Sequence, residues 1–198
     1  MFEELVGTAD VLVENFRAEV LARVGYDWDR LCQLNPALVY CAISGFGQTG
    51  PMNQAPAYDQ IIQGLSGMMS ITGTPQTAPL RVGFPICDTV GGLTAALAIT
   101  AALAGRERNG GGRFLDVSML ESSISAMGWA VSNYLISGVA PQPMGDQNAT
   151  AAPRVTGNGV LIDGEALRPT GPPPRLGEHN EDLPRLLDRW RTHPSASR

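Results

Sequence analysis

The chain has 198 residues, of which 43% are hydrophobic and 17% charged, and its formal net charge is −5. That apolar content supports a packed core. The acidic balance, with no basic block and no aromatic–basic interleaving, excludes nucleic acid as the expected partner. Cys32, Cys41 and Cys87 form no CxxC pair and no metal-ligand spacing with His179 or His193. No metal is therefore expected, and a reducing, cytoplasmic compartment is. Met1-Phe2-Glu3-Glu4 has no signal-peptide character. The Ala-rich apolar run 93–103 is too short to cross a bilayer, so no membrane partner is expected.

Residues 1–9 read as the end of a helix, with Phe2, Leu5 and Val6 on one face. Val11-Leu12-Val13-Glu14-Asn15 reads as a short strand of the buried parallel kind. Asn15-Phe16-Arg17 then forms a loop at the strand's carboxyl end, where ligands collect in open α/β sheets. Val20, Leu21 and Val24 predict a helix ended by Gly25. Asp27 caps the next helix, over 28–34, which stops before Pro36. A second buried strand covers 38–44. The order strand, helix, helix, strand argues for an α/β fold with parallel pairing.

Gly45-Phe46-Gly47-Gln48-Thr49-Gly50 matches G-x-G-x-x-G in letters. A dinucleotide fingerprint must open a helix directly, and Pro51, Asn53 and Pro56 keep this chain in a loop. A glycine-rich substrate loop or a plain turn is the expectation. A helix is predicted over 58–69, with Ile61, Ile62, Leu65, Met68 and Met69 apolar and Asp59 as a helix-entry residue. Thr72-Gly73-Thr74-Pro75 ends it.

The chain is organised around Val82-Gly83-Phe84-Pro85-Ile86-Cys87-Asp88-Thr89-Val90-Gly91-Gly92. An extended lead runs into a lone carboxylate, Asp88, placed as the N-cap of a helix starting at Thr89. The first-turn N–H groups would favour its ionised form. Gly91 and Gly92 follow in that first turn and let a ligand or backbone approach. From the residues alone, Asp88 is either a structural cap or a nucleophile toward an activated acyl group. The helix ends at Arg106-Glu107-Arg108, whose cations suit its negative end, and Asn109-Gly110-Gly111-Gly112 turns the chain. A strand over 113–118 and a long apolar helix over 119–135, containing Trp129 and Tyr134, come next. Residues 141–153 are loop. Val160-Leu161-Ile162 with Asp163-Gly164 looks like half of a hairpin. A rigid proline tract over 169–174, a short helix over 183–190 and a frayed tail over 192–198 complete the chain.

Taken together, these stretches resemble the family III CoA-transferases, a group that includes formyl-CoA transferase, the carnitine CoA-transferase type and the α-methylacyl-CoA racemases. The resemblance rests on Ala9-Asp10-Val11-Leu12-Val13-Glu14-Asn15-Phe16-Arg17, Leu34-Asn35-Pro36, Ser44-Gly45-Phe46-Gly47-Gln48-Thr49-Gly50-Pro51, Ala57-Tyr58-Asp59, Gln63-Gly64-Leu65-Ser66-Gly67 and the 85–92 stretch. Arg106, the strand 113–118 and the segment 171–180 fit as well. Order and spacing over 9–138 make the match specific; 138–159 is poorly covered.

The resemblance implies a partial Rossmann-like large domain, with a parallel sheet and flanking helices, and a CoA-transferase activity. The family aspartate falls on Asp88. By carry-over its carboxylate attacks an acyl-CoA, passing through an aspartyl-acyl anhydride and an aspartyl-CoA thioester. Asn15, Phe16 and Arg23 would line the CoA nucleotide site, Tyr58 would sit beside the thioester, and N–H groups around Gly91 and Gly92 would serve developing oxyanions. CoA and acyl-CoA are implied as substrates, with no permanently bound cofactor. Racemases of the group carry His where this chain has Tyr58. A phenol of pKa ~10 is a poor match to α-proton abstraction, so transferase is favoured over an acyl-CoA racemase or isomerase. An inactive remnant that retains at most CoA binding is the third reading.

Two departures from the family pattern are expected: truncation at the N-terminus and loss of the middle small domain. The expected organisation is a partial large domain over 1–140, a junction over 141–159 and a segment returning to the large domain over 160–198. Full-length members are interlocked homodimers. A fragment, a degenerate paralogue and a subunit completed by another polypeptide are the competing accounts. The first is preferred, with poor solubility or inactivity expected of the isolated chain.

Overall fold

The computed structural model describes residues 2–143, Gly145 and two short segments, Leu161–Ile162 and Glu165–Ala166. The chain divides into two units, Met1–Ala149 and Thr150–Arg198.

In the first unit, three short β-rich stretches pair into one parallel sheet. β1 (Val11–Glu14) lies beside β2 (Val39–Ser44), and β2 beside β3 (Arg113–Ser118), in the order β1-β2-β3. The register aligns Leu12 with Tyr40 and Phe114, and Val13 with Cys41 and Leu115. Side chains alternate across a strand, so these two rows face opposite ways and build two layers. On one face, α1 (Phe2–Thr8) and α3 (Trp28–Leu34) pack against the sheet around Val6, Leu31, Leu38, Tyr40 and Ala42. Phe114 stacks on Tyr40 there, with ring centroids 4.9 Å apart. On the other face lies α5 (Ile86–Asn109), whose Ala95 and Ile99 meet Cys41, Leu115 and Val117.

Asp27 caps α3 as expected, its Oδ1 accepting the Arg30 N–H at 2.8 Å. α2 is a single turn, Val20–Arg23. The middle strand is buried along nearly its whole length, whereas β1 is an outer strand with Val13 49% exposed. The expectation of a fully buried first strand therefore holds for β2 and not for β1, because β1 is paired on one side only among the described residues. Leu5 likewise turns away from the face that Phe2 and Val6 share.

Two predicted helices are each broken in two. The 58–69 stretch is α4 (Asp59–Leu65) followed by a 3-10 turn, Met68–Ile71, because Gly67 between them is left-handed at φ 85°. The 119–135 stretch is α6 (Met119–Ala126) and α7 (Gly128–Ser137), joined at Met127. The Ala-rich helix is instead longer than expected. It begins at Ile86, and its stretch Ile86–Arg106 is long and apolar enough, by length and composition, to cross a membrane. Its Arg106 does more than face the helix dipole: it donates to the Ala37 carbonyl at 2.8 Å and pairs with Asp10 at 2.6 Å.

Leu31 is fully buried at the centre of the α1–α3 layer. Leu31→Ala is expected to cost about 2–5 kcal/mol through lost transfer energy and a residual cavity. A lower urea midpoint at unchanged m-value in equilibrium unfolding would register this.

In the second unit, β4 (Leu161–Ile162) and β5 (Glu165–Ala166) pair antiparallel, Leu161 with Ala166 and Ile162 with Glu165. That agrees with a hairpin at this point. Asp163-Gly164, the proline tract, the 183–190 helix and the tail lie outside the described residues.

Candidate active site

A cavity of about 430 Å³ lies at the carboxyl ends of all three parallel strands. Its walls include Asn15 and Phe16 after β1, Ser44 and Gly45 at the end of β2, and Met119 after β3. This is where side chains and loops converge in an open parallel sheet, and the volume suits part of a cofactor-sized ligand. Asp88, Gly92, Tyr58 and Asp59 complete the lining from α5 and α4. A larger cleft of about 800 Å³, between the 71–73 segment and α7, is lined by no titratable side chain among the described residues.

Asp88 is the third residue of α5 and not its cap; Pro85 holds the N-cap position. The first-turn donors expected to serve Asp88 go to another carboxylate. Asp59 Oδ2 accepts the Cys87 N–H at 2.7 Å and the Asp88 N–H at 3.2 Å. A side chain cannot easily fold back onto its own N–H once its residue is inside the helix, whereas Asp59 reaches that turn end-on from α4. Asp88 is consequently not a lone carboxylate. The residue is exposed as a whole, but partial desolvation of its carboxyl at the cavity wall, with the Asp59 charge second, raises its pKa above the ordinary carboxylate value. The expectation that helix N–H groups favour its ionised form is therefore reversed. Among the described residues no hydrogen bond reaches the Asp88 carboxylate.

Gly91 and Gly92 are the sixth and seventh residues of α5, so they fall beyond the first turn. Only the first four N–H groups of a helix are unspent, so these two are not available to an oxyanion, contrary to expectation. Their lack of side chains matters differently at each. Gly92 opens the cavity wall, while a Cβ on Gly91 would sit 3.2 Å from Met119 Cγ, making it a helix-packing residue.

Asn15, Phe16 and Tyr58 are brought together at the cavity, with Tyr58 74% exposed. Arg23 is not: it lies in the last turn of α2, exposed and outside the lining. Among the described residues, the cation that lines the cavity is Arg17. Its signal was available, since it stands in the loop directly after β1. The loop itself is held by Glu14, whose Oε2 accepts the Phe16 N–H at 2.6 Å and whose Oε1 accepts the Tyr40 hydroxyl at 3.1 Å. Burial raises the Glu14 pKa. The glycine-rich stretch after β2 stays a loop: Gly47 N–H donates to Ser44 Oγ at 2.9 Å and Gln48 N–H to Asp116 Oδ2 at 2.9 Å.

The fold is thus α/β, a three-stranded parallel sheet with flanking helices and a carboxylate-bearing cavity at its carboxyl edge. The family model for CoA-transferase family III matches residues 1–156, and the chain belongs to that family. A succinate–glutarate CoA-transferase from Agrobacterium fabrum is 41% identical over 165 residues, covering 82% of this chain and 41% of the relative. An acetyl-CoA:oxalate CoA-transferase from Acetobacter aceti is 42% identical over 154 residues, covering 77% and 40% respectively. A crystal structure of a CAIB/BAIF family protein from Brucella suis superposes with a TM-score of 0.70 at 39% identity, covering 73% of this chain and 38% of that one. The chain thus spans about two fifths of the length of the curated relatives it matches.

Proposed function

We propose that this protein moves CoA between an acyl-CoA and a free carboxylic acid through Asp88. The observation that carries the reading is a carboxylate with no hydrogen-bond partner among the described residues, on the wall of the strand-end cavity. A structural aspartate would spend its oxygens on the helix N–H groups, and here Asp59 does that instead.

In this reading an Asp88 oxygen attacks the thioester carbonyl carbon, the C–S bond breaks, and CoA thiolate leaves a mixed anhydride. The thiolate attacks the Asp88 acyl carbon, releasing the donor acid and forming an aspartyl-CoA thioester. The acceptor carboxylate attacks that carbonyl and expels the thiolate. The thiolate then attacks the acceptor acyl carbon, which frees Asp88. One thioester is exchanged for another, so no ATP is consumed. Arg17 offers a cation to CoA phosphate, and Asn15 and Tyr58 bring amide and hydroxyl donors to the wall. Short dicarboxylic acids are the proposed acceptors, since the relatives are named for succinate, glutarate and oxalate.

A cytoplasmic homodimer belongs to the same reading. The three unpaired thiols suit a reducing compartment. Apolar side chains on α5 and α7, among them Leu93 at 67% and Leu135 at 75% exposure, need cover.

The decisive experiment is single-turnover incubation with succinyl-CoA, followed by hydroxylamine trapping and peptide mass spectrometry. A hydroxamate at Asp88 is expected. Adduct elsewhere, or α-carbon deuterium exchange without adduct, would replace the reading.

The raised pKa of Asp88 has a pH signature. Only the ionised carboxylate attacks, so the acylation rate climbs with pH through a value above the ordinary carboxylate pKa and then levels off. The same shift acts on stability. The folded state holds this proton more tightly than the unfolded chain, so stability falls as pH rises from the unfolded pKa through the raised folded one. Asp88→Asn is therefore expected to raise the Tm at pH 7, and the gain should vanish below pH ~4, the unfolded aspartate value. Calorimetry at the two pH values reads this.

A further inference from the structure

We infer that Asp59 and Gln63, on consecutive turns of α4, are positioning residues that together hold the Asp88-bearing turn of α5 and the extended segment leading into it. The inference rests on the reading of Asp88 as the nucleophile for its consequence, though not for its geometry.

Both side chains are buried, Asp59 at 8% exposure and Gln63 at 0%. Residues four apart on a helix share a face, and the Gln63 amide donates to Asp59 Oδ1. From this pair four bonds reach the active-site segment. Asp59 Oδ2 accepts the N–H groups of Cys87 and Asp88. Gln63 Oε1 accepts the Val82 N–H at 2.8 Å, and its Nε2 reaches the Phe84 carbonyl at 3.4 Å. Two side chains therefore satisfy backbone groups over residues 82–88, a stretch with no strand partner among the described residues. Ile62, next to this pair, packs with Cys87 in the same small core, so the two elements share an apolar contact as well. An unsatisfied buried N–H costs about 1–3 kcal/mol. A shift of ~1 Å in a reacting group can cost on the order of 100-fold in rate.

The orientation of the pair is determined by its chemistry. A carboxylate has only acceptors, so Gln63 must turn its NH2 toward Asp59, and this leaves its carbonyl for Val82. Asp59→Asn breaks that logic in a specific way. The oxygen of the introduced amide stays with Cys87 and Asp88, and its NH2 then faces Gln63. Gln63 must flip its oxygen to it, and Val82 loses its acceptor.

The test is amide hydrogen exchange on the purified chain, with succinyl-CoA acylation of Asp88 read in parallel. In Asp59→Ala the Cys87 and Asp88 amides should exchange at least ~10-fold faster. Acylation should drop about 100-fold while CoA affinity changes less than about twofold, a split that general destabilisation does not produce. In Asp59→Asn the Cys87 and Asp88 amides should stay protected, Val82 should lose protection, and acylation should recover to within ~10-fold of the parent. Unchanged Cys87 and Asp88 exchange in Asp59→Ala overturns the inference, as does parental acylation in that variant. If Asp59→Ala does not fold, the Asn variant decides: protection unchanged at Val82, or lost at Cys87 and Asp88, overturns it. Should the parent chain form no adduct at all, the proposed transferase reading fails and the exchange pattern alone decides the positioning claim.

Discussion

Asp88→Ala is expected to lower CoA transfer by ~10⁴-fold or more and to remove the hydroxylamine-sensitive adduct, with the fold intact. Losing a covalent nucleophile ordinarily has effects of this order. The substitution is well tolerated structurally for two reasons. Asp88 is exposed, and its carboxylate takes no hydrogen bond among the described residues. The other carboxylate in the cavity wall, Asp59, cannot substitute for it, because its oxygens are committed to Cys87, Asp88 and Gln63. Asp88→Glu keeps the chemistry and moves the oxygens by one methylene, so a loss of around 100-fold is expected. Initial rates with succinyl-CoA and peptide mapping of the trapped adduct measure both. An adduct surviving in Asp88→Ala would assign the nucleophile elsewhere.

Gly112→Ala is expected to destabilise the first unit by about 3 kcal/mol or more. A Cβ at this position would overlap the Leu38 carbonyl oxygen and lie 2.8 Å from both the carbon and the nitrogen of Leu38. The backbone cannot move aside. Gly112 N–H donates to the Pro36 carbonyl at 2.6 Å, and Arg113 N–H to the Leu38 carbonyl at 3.1 Å, where β3 begins to pair with β2. Two backbones touch here with no room for a side chain. Gly110→Ala makes a useful contrast. Gly110 sits in open space at φ 65° and ψ 165°, a backbone region essentially confined to glycine, so a conformational penalty of about 1–3 kcal/mol applies with no overlap added. Chemical denaturation of both variants should place Gly112→Ala as the less stable of the two. A Gly112→Ala protein as stable as Gly110→Ala would contradict the close approach.

These two residues also mark how far the sequence carries. The three strands, the Asp27 cap and the loop character of the glycine-rich stretch were legible, because each depends on neighbours within a few residues. Asn15, Phe16, Tyr58 and Asp88 were legible as a set through the motifs they sit in, and the fold brings all four to one cavity. The run Gly110-Gly111-Gly112 announced a turn. It could not tell a glycine needed for its torsion from one needed for a backbone 74 residues away in sequence order, counted from Leu38.

The start of α5 differs from its expected place for a long-range reason. Asp88 has the right residue type and setting for a cap, and local preference placed it there. The first turn of α5 instead takes its acceptor from Asp59, across 28 and 29 positions of chain. That long-range bond moves the helix start to Ile86 and places Gly91 and Gly92 beyond the first turn. It leaves the Asp88 carboxylate without a hydrogen bond among the described residues, beside a second negative charge. Arg23 and Arg17 exchange places in the same way, since spacing along the chain does not say which side of a one-turn helix faces the strand ends.

The sequence by itself determined the parallel α/β architecture and the family, because periodicity, turn chemistry and motif order are written locally. Only the tertiary structure decided which acid serves the first turn of the helix and which keeps its oxygens free of hydrogen bonds among the described residues. That choice depends on the distance between α4 and α5, and packing around Ile62 and Cys87 sets this distance.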